Sequence, residues 1–86
     1  MQIARTNAIV GARIAELRAI AEMSQAQLAQ KLASKLAKDS IDPTTITRLE
    51  RGSRPITVVE LVALAEIFGL PTESLIPKTR IVEQHL

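Results

Sequence analysis

Three hydroxyls and one guanidinium, those of Thr44, Thr45, Thr47 and Arg48, stand within five residues of one another in a chain of 86. Short hydrogen-bonding side chains beside a long cation are the equipment of a helix that enters a major groove and touches base edges, the guanidinium forking onto guanine O6 and N7. The same residues also suit a plain helix surface, with Arg48 in a local salt bridge and the threonines solvated or, near a helix start, on phosphate. The elements that hold the segment decide between these readings.

On either side of the segment the punctuation is clear. Asp42 is a good N-cap, Pro43 fits the first helical position because its missing N–H has no intrahelical partner there, and Gly52 fits a C-terminal stop. One short, sharply bounded helix over 43–51 follows. At 3.6 residues per turn, Ile46 and Leu49 share an inward face and leave Thr44, Thr45, Thr47 and Arg48 largely outward.

The rest of the chain reads as helices that could carry this one. Hydrophobic residues make up 47% and Phe68 is the single aromatic, so the core must be built from Leu, Ile, Val and Ala, a mixture rich in helix formers. Thr6 or Asn7 can cap a first helix running to about Glu22, with Val10, Ile14, Leu17 and Ala21 as its apolar stripe and Ile20 beside it. Gly11 either weakens that helix by about 1 kcal/mol relative to Ala or marks a close backbone approach. Ser24-Gln25-Ala26-Gln27 has the capping-box spacing, and Leu28, Leu32 and Leu36 then carry a second helix to about Lys38. Asp39 to Asp42 are left for the turn, which makes a helix-turn-helix in the plain geometric sense.

Thr57-Val58-Val59-Glu60 is a second capping box, opening a fourth helix that runs to about Phe68 with Val58, Leu61, Leu64, Ala65 and Phe68 as its buried stripe and Gly69 as its stop. Thr72 caps a short fifth piece through Ile76, and Pro77 ends it. The expected fold is all-α, a compact five-helix domain over residues 1–77 with a lengthened second helix. Residues 78–86 form a tail whose Ile81, Val82 and Leu86 suit an oligomer contact, an edge strand or a frayed end.

Composition narrows the classes of function. There is no cysteine, so neither a disulfide framework nor a cysteine zinc site is available, and a reducing, cytoplasmic setting is compatible. No stretch reads as a signal peptide or membrane span; the richest apolar run, 56–70, is broken by Glu60 and Glu66. Charge is uneven: residues 1–54 carry nine Lys and Arg against five acids, while 55–77 carry three acids and no cation. The first part could face an anion, and the second should face away. For catalysis, the sole histidine, His85, lies in the tail, no nucleophile, base and orienting group assemble, and no phosphate-binding glycine loop occurs. The chain is expected not to be an enzyme and to need no cofactor or metal.

In order and spacing, Leu17-Arg18, Ser24-Gln25-x-x-Leu28-Ala29, Thr45 to Gly52, and Leu61-x-x-Leu64-Ala65 before Phe68-Gly69-Leu70 resemble the helix-turn-helix family of phage repressors, Cro proteins and related bacterial regulators, the lambda-repressor-like domain. That resemblance implies that Gln25 holds a DNA phosphate and braces the recognition helix. It implies that Pro43, Thr44, Thr45 and Arg48 lie where relatives reach base edges, that Arg51 and Arg54 lie where they meet phosphate or groove, and that Arg18 and Glu50 form a partly buried ion pair. Two departures matter. Between Leu32 and Ile46 the chain is longer than the family's usual spacing by about two helical turns, and Lys35 and Lys38 on that extension could add phosphate contacts or be solvated. Pro43 replaces a glutamine that in many relatives bonds a base, so Pro43 keeps at most a backbone contact and reading moves to Thr44, Thr45, Thr47 and Arg48.

The function expected on these grounds is sequence-specific binding of double-stranded DNA by a transcriptional repressor, as a homodimer joined through residues 70–76 with Ile81, Val82 and Leu86. Two alternatives stay open. One is an antitoxin that autoregulates its operon and holds a toxin through the tail or fourth helix; the other is a protein-interaction module that kept the fold without DNA binding.

Overall fold

The computed structural model describes residues 3–77. In chain order it has α1 (Ile3–Ile20), α2 (Gln25–Lys35), α3 (Pro43–Arg51), α4 (Val58–Phe68) and a single 3₁₀ turn, Thr72–Leu75. The expected five helices are therefore four. The fifth piece is one 3₁₀ turn that starts after Pro71 without a side-chain cap, so Thr72 does not cap it, and it drives Leu75 fully into the core.

Three helices start where their capping residues place them. Ser24 and Thr57 each accept an N–H from the third helical residue, Gln27 and Glu60, whose side chains return the bond. Asp42 accepts from Thr44 N–H with Pro43 in the first position. Helix α1 differs from expectation: it runs through Thr6 and Asn7 rather than starting at them.

All four helices end in the same hydrogen-bond pattern, with a left-handed residue just past the helix and a reach back to the carbonyl five residues earlier: Met23 to Arg18, Lys38 to Ala33, Ser53 to Arg48 and Leu70 to Ala65. Gly52 and Gly69 supply the left-handed residue for α3 and α4, as their positions promised. For α1 and α2 it is Glu22 and Ala37, both at φ 56°. Those two stops shorten the expected helices. Helix α2 ends at Lys35 and is not lengthened; the extra residues form the turn 36–42, pinned by Leu36 and Ile41 packing on the core.

Val10, Ile14, Leu28, Leu32, Ile46, Leu49, Leu64 and Leu75 make the core, with α1 and α2 both packed on α3 and α4 closing the far side. Leu17 is half-buried, whereas Ile20, the last residue of α1, and Ala21 just past it are exposed. Val58 also faces solvent, 76% exposed, with Val59 and Val62 beside it; Ala63 takes the buried place. Gly11 proves to be a close approach. A Cβ there would collide with the carbonyl oxygens of Leu49 and Glu50, the second at 2.7 Å.

Gly11→Ala is therefore expected to destabilise the domain by at least about 2 kcal/mol in urea unfolding, by forcing α1 off α3. Ala37→Gly should do the opposite and stabilise by up to about 1 kcal/mol, since it relieves a left-handed alanine. A neutral Gly11→Ala would mean that α1 and α3 do not touch at backbone distance.

Candidate nucleic-acid interface

Glu50 lies on the inner side of α3 with its side chain only 8% exposed, where an unpaired carboxylate would be costly. Two donors meet it. Arg18 of α1 donates from Nε to Glu50 Oε2 at 2.6 Å and from Nη2 to Oε1 at 3.2 Å. Gln25, the first residue of α2, donates from Nε2 to Oε1 at 3.0 Å. The remaining Arg18 nitrogen, Nη1, donates to the Met23 carbonyl at 2.9 Å and so fixes the α1–α2 turn as well. The hydrogen bond to Glu50 holds the Arg18 guanidinium above its ordinary pKa, against a smaller opposing effect of burial.

A carboxylate only accepts, so Gln25 must point its amide nitrogen at Glu50 and its oxygen the other way. That oxygen receives the Thr47 hydroxyl at 2.8 Å. Thr47 is thus a half-buried inward brace, which corrects the expectation that it stands outward. Thr45 is half-buried too.

Pro43, Thr44, Arg48 and Arg51 make the outward face of α3, and all are exposed. The last three stand at i, i+4 and i+7, opposite Ile46 and Leu49. Asp42 Oδ1 accepts both the backbone N–H and the hydroxyl of Thr44, each at 2.9 Å. Those bonds, the backbone one first, together with the charge of Arg48 hold the Asp42 carboxyl below its usual range. Arg48, Arg51 and, in the turn before α3, the exposed Lys38 make no ion pair among the described residues.

Two cations expected at phosphates point elsewhere. Arg54 forks onto Glu60, Nη1 to Oε1 at 3.0 Å and Nη2 to Oε2 at 2.9 Å. Lys35 lies 3.3 Å from Glu66 of α4. From the sequence Glu60 reads only as a helix cap, the role in which its Oε1 accepts Thr57 N–H. A capping glutamate keeps a second oxygen, and an arginine shortly upstream of the box was the signal for this pair. Burial pushes the Glu60 carboxyl up, but hydrogen bonds from Arg54 and Thr57 and the Arg54 charge outweigh it and leave it below the usual range.

The arrangement sorts charge by direction: Glu50 and Glu60 are turned inward onto arginines, while Arg48 and Arg51 are left outward around α3. Among the described residues no cluster of three acids or histidines could hold a metal ion, and no helix is long and apolar enough to cross a membrane. His85, Ile81, Val82 and Leu86 lie outside the described residues. Two helices joined by a turn, the second presenting a polar outer stripe, define the class. Residues 9–76 match the family described as the helix-turn-helix domain, and the chain belongs to that family. The match is to the domain in general, without singling out its repressor and Cro branch. No curated protein and no solved structure matches the chain.

Because Glu60 ionises more readily folded than unfolded, its pair with Arg54 contributes fully above the ordinary glutamate range, about 4.3, and is lost as pH falls through the lower folded value. In urea melts Glu60→Gln should cost roughly 2 kcal/mol near neutral pH, and the gap to wild type should shrink below about pH 4. A gap that stays constant into acid would contradict the pairing.

Proposed function

We propose that the chain binds double-stranded DNA sequence-specifically as a transcriptional regulator, with α3 in the major groove, and that it acts as a repressor of the phage repressor and Cro kind. The observation that carries this reading is the exposed stripe Thr44, Arg48 and Arg51 on a helix whose opposite face is locked by Ile46, Leu49 and Glu50. A rigid helix with cations and hydroxyls outward is what base reading needs, and its carboxylates are turned away from phosphate, Asp42 excepted. Arg48 and Thr44 read bases, with Thr45 at the edge of the contact. Phosphate contacts that fix register come from Arg51, Lys38 and the first amides of α2 at Gln25, with the Pro43 ring against the DNA backbone in van der Waals contact, since it has no N–H to donate. Lys35 and Arg54 are engaged with Glu66 and Glu60 and contribute less.

One domain covers a small footprint, so useful affinity calls for a two-fold dimer on half-sites about one DNA turn, roughly 34 Å, apart. Leu75 is buried within the chain, which leaves Leu70 and Ile76, with the tail, as the dimer surface first expected. A second reading, an antitoxin that also holds a protein, is favoured by the exposed Val58, Val59 and Val62 on α4.

Selection of the purified protein from a random duplex library at near-physiological salt tests the proposal, with Arg48→Ala in parallel. Wild type should enrich a two-fold symmetric motif that contains a guanine lost or relaxed in the variant. Affinity should also fall steeply with salt, with a log–log slope of about −3 to −4 for each protomer meeting about four phosphates. No enrichment, and weak binding that salt and Arg48→Ala leave unchanged, would overturn it.

A further inference from the structure

Two hydroxyls on α3 have their protons held by neighbouring side chains. Thr44 gives its proton to Asp42 Oδ1 at 2.9 Å, and Thr47 gives its proton to Gln25 Oε1 at 2.8 Å. In neither case can donor and acceptor exchange roles. Asp42 is a carboxylate with no proton to offer, and the Gln25 oxygen is set by the amide bond to Glu50, which is in turn fixed by Arg18. A hydroxyl whose proton is committed has only lone pairs left to present. Thr47 is half-buried, so the exposed Thr44 is the one that a groove would meet.

Four residues further along the same face stands Arg48, which can only donate. The helix therefore offers an acceptor and a forked donor about 6 Å apart along its axis, close to two base-pair steps of about 3.4 Å. In the major groove the donors are the amino groups at adenine N6 and cytosine N4, whereas the carbonyls at guanine O6 and thymine O4 accept. A thymine or guanine carbonyl opposite Thr44 would set lone pair against lone pair.

We propose that Thr44 reads an exocyclic amino group, adenine N6 or cytosine N4, within two base pairs of the guanine read by Arg48, and that Asp42 is the positioning residue that sets this polarity. The inference rests on the major-groove reading above. It specifies the chemistry of a half-site: an amino-bearing base beside a guanine.

The test repeats the library selection with wild type, Thr44→Val, Thr44→Ser and Asp42→Gly, each checked for native helical content. Wild type should enrich adenine or cytosine at one position within two base pairs of the Arg48-dependent guanine. Thr44→Val should lose that preference and keep the guanine, while Thr44→Ser retains both. Asp42→Gly is tolerated at an N-cap and removes the oxygen that holds the hydroxyl proton; thymine or guanine should then be admitted at that position alone. On the selected duplex, wild type should bind about 3- to 10-fold more weakly when the base is replaced by purine for adenine or 2-pyrimidinone for cytosine, each lacking only the amino group. Which analogue weakens binding tells adenine from cytosine. A Thr44-dependent position occupied by thymine or guanine, or equal affinity for the analogue duplex, would overturn the polarity and leave the groove reading standing. No motif from wild type at all would remove both.

Discussion

One buried carboxylate organises this molecule. Glu50 belongs to α3, is bonded by Arg18 from α1 and by Gln25 from α2, and has nearly no contact with water. A carboxylate so placed would be untenable alone, and removing one partner of such a pair costs about 3–5 kcal/mol, a large share of the roughly 5–15 kcal/mol of a whole domain. The consequence reaches past stability. With its acceptor fixed, Gln25 has one orientation, Thr47 has one role, and α3 has one roll angle about its axis. The outward stripe is therefore set from the inside.

That network requires α1 to lie unusually near α3, and the means is steric. Gly11 lets α1 sit against the Leu49 and Glu50 carbonyls, and Gly52 turns the chain beside Ala8, where a Cβ would come within 2.7 Å of the Ala8 nitrogen. Close backbones bring Arg18 within reach of Glu50, and the inward acids leave the outer side of α3 electropositive. Packing here dictates electrostatics: the same contacts that bury Ile14, Ile46 and Leu49 decide which charges water, or a polyanion, can meet.

The sequence was most legible where a local rule has a single cause. Ser24, Asp42 and Thr57 cap, Pro43 opens and Gly52 and Gly69 close because each answers an unpaired backbone group at its own position. It was least legible where tertiary contact overrides local preference. Glu22 and Ala37 carry no mark of a left-handed stop, so α1 and α2 read too long. Val58 fits the apolar spacing of α4 yet faces solvent, because α4 packs on α2 with Ala63, Leu64 and Ala65 as its buried residues instead. At the candidate site, the outward Thr44 and Arg48 follow from helical period alone. The inward turn of Thr47 depends on a glutamine 22 residues away, and Arg54 on a glutamate in the next helix.

The most direct test of a reading helix braced from within is a ¹⁵N NMR titration of the protein with its selected duplex, following backbone amides and arginine side-chain N–H signals together. Large shifts are expected at Thr44, Arg48, Arg51 and the first turn of α2, with Arg18 Nε–H unmoved in its pair with Glu50. Shifts gathered on Val58, Val59 and Val62 of α4, with α3 silent, would contradict it.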